Sequence, residues 1–269
     1  MELKLICTDI DGTLLNKDRR LSQATLATFQ RLSPRCPIVL ISSRMPVSMK
    51  QLQEELHIVN YPLIAYNGSL ILDQNTVLYD EGLSNDFQQT LVNYTANTSI
   101  HLSFYHKDEW YVPADDYWAK REAHNTRVEP VAQPLQTTLA KWKEEQKVAH
   151  KIMCMGEEQE IEKLYQQLQN QHAEEVNAYR SKATYIEISI KSQDKATAME
   201  KLLQIKYPQW SMDNVIAFGD NYNDATLLKK VGRGVAVANA KTEVLPLANA
   251  TTRSNIKDGV ALYLDKVFP

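Results

Sequence analysis

Asp9 and Asp11 stand one residue apart, directly after an apolar run that begins at Leu3. Gly12 and Thr13 follow them in the stretch Leu5–Leu15, LICTDIDGTLL. A short, nearly unbroken apolar run closed by a glycine turn is the pattern of a strand buried on both faces of a parallel sheet. The two acids therefore fall where that strand runs out, the edge at which open α/β sheets build their sites. Neighbouring carboxylates repel unless a cation lies between them, so the chemistry indicated is that of a metal-dependent active site. Two plainer readings compete with it, since Asp-Gly pairs form turns and D-x-D also occurs in calcium loops. The calcium frame fails. Setting Gly12 at the required glycine puts Cys7 at the first ligand position, and a strand rather than a helix precedes it.

The stretch Ile216–Asp224, IAFGDNYND, repeats the arrangement: an apolar strand ends in Gly219 and Asp220, and Asn223 and Asp224 open a helix. Asp220 is a third carboxylate at a strand's C-terminal edge, and Asp224 is expected to do some helix capping as well. Three oxygen ligands of this kind, completed by waters, suit magnesium. Ser42 and Ser43 close another apolar run just before a helix. Hydroxyls and free backbone N–H groups there suit a phosphate oxygen, although an ordinary serine cap has the same signature. Arg44 fits either a phosphate or substrate clamp or a solvated side chain. Lys195 lies in the first turn of a helix, where a cation opposes the helix dipole. Neutralising a phosphoryl group would give it a reason to be there; a solvated surface lysine is the alternative. The chain contains no GK[ST] phosphate loop, which excludes a nucleotide triphosphatase of that type. The six histidines show no ligand spacing and are read as structural or surface residues.

The elements that must position these residues follow a β-α-β-α-β order over the first part of the chain. Ser22 caps a helix reaching about Leu32, with Leu21, Thr25, Ala27 and Leu32 as inward candidates. Pro37–Ile41 is a second strand, Pro46 opens a helix to about Leu56, and Leu63–Ala65 is a third strand ending at Asn67-Gly68. A hairpin about Asp73–Asn75 comes next. The pattern changes near Gly82–Ser84 into helices and antiparallel strands, including the aromatic hairpin of Phe104, Tyr105, Trp110 and Tyr111 and the Tyr117-Trp118 pair. From about Ser192 the α/β order resumes and closes with a helix from about Asp258. The expected fold is a doubly wound, mostly parallel α/β core, residues 1–83 and 190–269, interrupted by an inserted α+β cap domain, residues 84–189.

Of the 269 residues, 43% are hydrophobic and 23% charged, the range of an ordinary globular protein. A formal charge of −3 and the lack of any basic stripe argue against a nucleic-acid partner. Cys7, Cys36 and Cys154 are odd in number and scattered, so neither a zinc ribbon nor a disulfide framework is indicated. The start, MELKLIC, is too short an apolar run for a signal peptide, and no segment has transmembrane length. A cytoplasmic enzyme with no membrane partner is expected. Oligomeric state is not legible.

Taken together, Asp9-Ile-Asp11-Gly-Thr13, Ser42, Lys195, and Gly219-Asp220 with Asn223-Asp224 resemble the four ordered motifs of the haloacid dehalogenase superfamily. The inserted domain, Asn67-Gly68 and the closing Val235–Ala240 are similar to its Cof-type subfamily, which carries a large α+β cap of the C2B kind. The resemblance implies a magnesium-dependent phosphatase of small phosphorylated metabolites, sugar phosphates or similar phosphomonoesters. In that scheme Asp9 is the nucleophile and Asp11 the general acid and base, with Ser42 and Lys195 completing the catalytic set. The metal is held by Asp9, Asp220 and the Asp11 carbonyl, with Asp224 behind them or as an outer ligand. Ser42, Ser43, Lys195, Asn223 and the amides of Ile10 to Gly12 hold the phosphoryl oxygens, and Arg44 and Asn67 are substrate candidates. The cap is expected to close over the site and carry specificity. An acid at position 11 separates this chain from the superfamily's transport ATPases and dehalogenases. Ser43-Arg44 departs from the usual Gly-Arg pair. A phosphomutase, or a phosphometabolite-binding regulatory protein, remains the alternative.

Overall fold

Four residues that the apolar pattern marks as a strand, Leu5–Thr8, are all buried and hydrogen-bonded on both sides, the position of a central parallel strand. The structure, a computed structural model, describes residues 2–269, the side chain of Ser181 excepted. In chain order the elements are β1 (Leu5–Thr8), α1 (Gln23–Leu32), β2 (Ile38–Ile41), α2 (Pro46–Glu55), β3 (Leu63–Ala65), β4 (Leu70–Asp73), β5 (Thr76–Asp80), α3 (Asn85–Thr95), β6 (His101–His106), β7 (Glu109–Val112), α4 (Tyr117–Thr126), β8 (Val131–Ala132), α5 (Leu135–Glu144), β9 (Lys151–Met155), α6 (Glu158–Gln171), β10 (Val176–Lys182), β11 (Tyr185–Ile190), α7 (Lys195–Lys206), β12 (Val215–Gly219), α8 (Ala225–Lys230), β13 (Arg233–Val237), β14 (Ala250–Thr252) and α9 (Gly259–Val267). They fall into two compact units, one of residues 1–44, 49–79 and 194–269, the other of residues 45–48 and 80–193.

The first unit is built on a sheet of order β14-β13-β12-β1-β2-β3-β4-β5, parallel from β14 to β3 and antiparallel at β3–β4. The chain winds outward from β1 through β2 and β3, then returns on the other side of β1 with β12. The switch point thus lies between β1 and β12, where a doubly wound sheet opens a crevice at its C-terminal edge. Side chains alternate across the sheet. Leu5, Cys7, Val39, Ile41, Val215 and Ala217 meet Met199, Leu202 and Leu203 of α7 and Leu227 and Leu228 of α8. On the opposite face Phe218 meets Tyr263 of α9 edge-on, and α9 is tied to α1 by Asp265, which accepts from Thr28 and Arg31. Ser22 caps α1 as expected, accepting from the Thr25 amide. Ala27, expected to face inward, is exposed; the buried residues Thr25, Thr28, Phe29 and Leu32 follow one face at helical spacing, and position 27 lies off it. The expected α/β fold class is borne out.

The second unit has its own sheet, of order β10-β11-β9-β6-β7-β8, with α3, α5 and α6 on one face. Leu102, Phe104, Ile152, Cys154, Ile186 and Ile188 point into that layer and enclose Trp142. Of the aromatic candidates, Phe104 and Tyr111 belong to this core and pack edge-on against Trp142. Tyr105 and Trp110 stack on each other 5.5 Å apart, and Tyr117 is exposed. All three cysteines are buried and free. Among the described residues no helix is long and apolar enough to cross a membrane.

Three histidines of this unit are buried, which the sequence reading left open between core and surface. His150 and His106 stack at 4.8 Å, and burial pushes the His150 imidazole down from 6.5 to about 4. Asp80, 3.7 Å from His150 Nε2, opposes that shift, and so does the Glu81 carbonyl beside Nδ1. The unfolded chain therefore binds protons that the folded unit refuses. Stability is complete above pH 6.5 and falls as pH drops toward 4, by up to about 1.4 kcal/mol per pH unit for this group. Comparing thermal unfolding of wild type and His150→Gln between about pH 7 and pH 5 checks this. The wild-type midpoint should fall more steeply on acidification, and parallel slopes would contradict it.

Candidate active site

Asp9 is the first residue past β1, and its amide donates to the Phe218 carbonyl of β12, so the two strand ends are level. Asp220 is the first residue past β12. Local chain geometry brings the acids together: carboxylate oxygens of Asp9, Asp220 and Asp224 lie within 4.8 Å of one another. Gly12 has φ of +83°, and a Cβ there would collide with the Asp220 carboxylate. The glycine is therefore required both by the turn and by the close approach of the second strand's acid. Gly219 plays the matching part, since a Cβ on it would strike the Asp224 side chain.

Lys195 is fully buried, and its ammonium donates to Asp9 Oδ1 and to Asp224 Oδ1, each at 2.6 Å. Its place as first residue of α7, unfavourable toward the helix dipole, is thus explained by two carboxylates. The helix N-terminus is satisfied separately by Asp194, whose side chain accepts from Thr197. Burial would lower the ammonium's proton affinity, but Asp224 and Asp9 outweigh it and hold the lysine firmly charged. The other oxygen of Asp224 accepts from the amides of Asp220 and Asn221. Asp224 thus ties the β12 loop to Lys195 with both oxygens engaged. Asp220 Oδ1 accepts from Thr13, the threonine of the first motif.

The three carboxylates exceed the one ammonium by two charges, the charge of a divalent cation, and every candidate ligand atom is an oxygen. Crowding leaves its mark on proton affinity. Burial pushes Asp9 well above the ordinary carboxylate range, with Lys195 opposing and Asp224 and Asp220 adding to it. Burial and then Asp224 raise Asp220 to about 6.

Asp11 is placed differently. Its side chain is 40% exposed and lies outside the carboxylate cluster. Arg44 Nε donates to Oδ2 at 2.6 Å and Nη2 to Oδ1 at 2.7 Å, while Arg19 Nη2 reaches Oδ1 at 3.0 Å. Burial alone would raise this carboxyl, but the two arginines bring it below its ordinary value. Ser42 is buried at the end of β2, and its Oγ accepts from the Arg44 amide. Its carbonyl accepts from the amide of Asn67, which is left-handed at φ 56°. Asn67 Oδ1 accepts in turn from Asn223 Nδ2 at 3.0 Å, so one side-chain bond joins the loops after β3 and β12. Ile10 closes the first-motif turn, its carbonyl accepting from Leu14 and Leu15. Ser43 follows Ser42 at the entry to α2.

The model of the haloacid dehalogenase-like hydrolase family matches residues 6–264. The chain belongs to this family. A provisionally named phosphatase of Haemophilus influenzae is 31% identical over 288 residues, both chains being covered in full. The 5-amino-6-(5-phospho-D-ribitylamino)uracil phosphatase YitU of Bacillus subtilis is 28% identical over 284 residues, covering 100% of this chain and 99% of its own. The crystal structure of TM0651 from Thermotoga maritima superposes with a TM-score of 0.88 at 26% identity, covering 99% of this chain and 98% of that one. The Cof-type membership and the enzyme class expected from the motifs, a phosphatase of the haloacid dehalogenase family, are borne out.

Four contributors in this hydrolase went unassigned in the sequence. Thr13 is legible only as part of the first motif, and Arg19 sits in a loop with no pattern. Asn239 donates to the Gly12 carbonyl at 2.7 Å, and Asn255 donates to the Leu15 carbonyl at 2.8 Å, both bracing the first-motif turn from the C-terminal part of the chain. Of these two asparagines, only Asn239 carried a signal, as part of the Val235–Ala240 stretch.

The raised Asp220 carboxyl has a stability consequence. In metal-free protein the folded state keeps a proton that the unfolded state releases, so stability is lost as pH rises from about 4 through about 6. Asp220→Asn, which keeps an acceptor for Thr13, should raise the stability of EDTA-treated protein at about pH 7.5 by on the order of 1–2 kcal/mol. Chemical denaturation measures it, and a loss of stability would contradict the electrostatic account.

Proposed function

We propose that this hydrolase is a magnesium-dependent phosphatase acting on small phosphorylated metabolites, sugar or polyol phosphomonoesters, through a phosphoaspartate on Asp9. The observation that carries the reading is the convergence of Asp9 and Asp220 at the switch point, with one buried lysine joining the nucleophile to Asp224. The polyol preference draws on the B. subtilis relative, whose name contains a phosphoribityl group.

Asp9 and Asp220, with the Asp11 carbonyl, would hold the magnesium ion, and Asp224 supports them from behind. Bound there, the ion neutralises charge on the phosphoryl group and on the crowded acids. The chain's own groups do the rest. Lys195 holds one oxygen of Asp9. An oxygen of Asp9 attacks phosphorus in line, the bond from phosphorus to the alcohol oxygen breaks, and Asp11 gives that oxygen its proton. Water then attacks the acyl phosphate, Asp11 takes the water's proton, and inorganic phosphate leaves with Asp9 restored. Ser42, Ser43, Asn223 and the amides of Ile10 to Gly12 supply donors to the phosphoryl oxygens, where charge spreads in the transition state. The arginine pair favours the ionised Asp11 that the first step leaves behind, the state that accepts a proton from water in the second.

The test is phosphate release from ribitol, ribose, glucose and glycerol phosphates, with and without magnesium, for wild type and Asp9→Asn. Magnesium-dependent release should fall at least about a thousandfold in the variant. Release that survives Asp9→Asn would overturn the mechanism. Isomerisation in excess of release would make the enzyme a mutase.

A further inference from the structure

Asp11 needs an external hold. Its side chain is 40% exposed, on a turn, and is held by Arg44 from the loop after β2 and by Arg19 from farther along its own loop. Both partners are arginines, and each stands on a braced backbone. Arg44 has its amide on Ser42 Oγ at 3.3 Å, its carbonyl accepts from the Tyr66 amide at 3.3 Å, and its side chain is only 15% exposed. Arg19 is left-handed at φ 57°, a conformation unfavourable for a residue with a Cβ. The loop imposes it. Asn16 Oδ1 accepts from the amides of Asp18 and Arg20, the Asn16 carbonyl accepts from Arg19, and the Asn16 amide donates to Arg20. A strained residue held this firmly, with its guanidinium on a motif acid, points to use.

The contacts are unequal on the two carboxylate oxygens. Among the described residues, Oδ1 accepts from Nη2 of both arginines and Oδ2 from Arg44 Nε. We propose that Arg44 and Arg19 are positioning residues that anchor Asp11 by Oδ1 and leave Oδ2 as the oxygen that exchanges the proton. When Oδ2 carries the proton it gives up the Nε contact, while two guanidinium groups still fix the carboxyl through Oδ1. The proton passes from Oδ2 to the departing alcohol oxygen in the first step and returns to it from water in the second. Arg44 then works on the enzyme's own acid rather than as a clamp on substrate. The planar fork is essential to this, because lysine places a single point charge and cannot fix the carboxyl's plane.

This inference rests on the proposed role of Asp11, and leaving-group chemistry separates the two. An alkoxide is strongly basic and needs a proton to depart, whereas p-nitrophenolate leaves without one. The experiment measures kcat and KM for the best alkyl phosphate of the panel and for p-nitrophenyl phosphate, in wild type, Asp11→Asn, Arg44→Met, Arg44→Lys, Arg19→Gln and the Asp11→Asn/Arg44→Met double variant. Arg44→Met should lower kcat for the alkyl ester about 10- to 100-fold and leave its KM near wild type, whereas kcat/KM for p-nitrophenyl phosphate, which reports the first step and not the later attack of water, should change less than about threefold. Arg44→Lys, which keeps the charge, should restore little, and Arg19→Gln should show the same pattern more weakly. On an Asp11→Asn background Arg44→Met should cost nothing further. Equal losses with both esters, a raised KM with unchanged kcat, or additive losses in the double variant would overturn the inference and return Arg44 to the substrate. If kcat/KM of Asp11→Asn itself shows no leaving-group dependence, the proposed role of Asp11 as the acid fails, and the inference with it.

Discussion

A single buried ammonium makes the rest of this site tenable. Lys195 lies between Asp9 and Asp224 with no exposure to solvent. Crowding three carboxylates, two of them buried, within 4.8 Å of one another is costly unless charge is supplied locally. The lysine supplies part of it from within the fold, and the two charges left over define what the site accepts. Removing one partner of a buried pair typically costs about 3–5 kcal/mol, because the remaining charge has nowhere to go. Structural and chemical demands on Asp9, Asp224 and Lys195 are therefore the same demand.

Around that centre the loops are fastened by side chains that do two things at once. Asp224 holds Lys195 with one oxygen and the amides of Asp220 and Asn221 with the other. Thr13 steers Asp220, and Asn67 and Asn223 pair across two strand ends. Asn239 and Asn255 brace the turn after β1 from residues more than two hundred positions away in sequence. The result is a set of reactive groups held on strand ends rather than on free loops, the arrangement that keeps their geometry within the tolerance catalysis needs.

Much of this was legible because it is local. Continuous apolar runs before Asp9 and Asp220 marked buried parallel strands, and parallel strands ending in carboxylates place those carboxylates together whatever the rest of the chain does. Lys195 was legible as an anomaly, a cation at a helix N-terminus, although its two partners were not. What escaped reading was either short or long-range. Ala250–Thr252 forms an edge strand of three residues with no apolar run to announce it, and Val131–Ala132 is shorter still. The inward face of α1 was misphased at Ala27 because Thr28 and Phe29, not Ala27, complete its buried stripe. The arginine hold on Asp11 joins positions 8 and 33 residues away, and no spacing rule connects them.

The central claim is that Asp9, alone among the four acids, bonds covalently to phosphorus. It is tested most directly by quenching the enzyme during turnover of its best phosphomonoester with magnesium, reducing the protein with borohydride, and sequencing the peptides. An acyl phosphate is reduced to the alcohol, so the account predicts homoserine at position 9 and unmodified aspartate at 11, 220 and 224. Homoserine at another of these positions, or intact Asp9 throughout steady turnover, would contradict it.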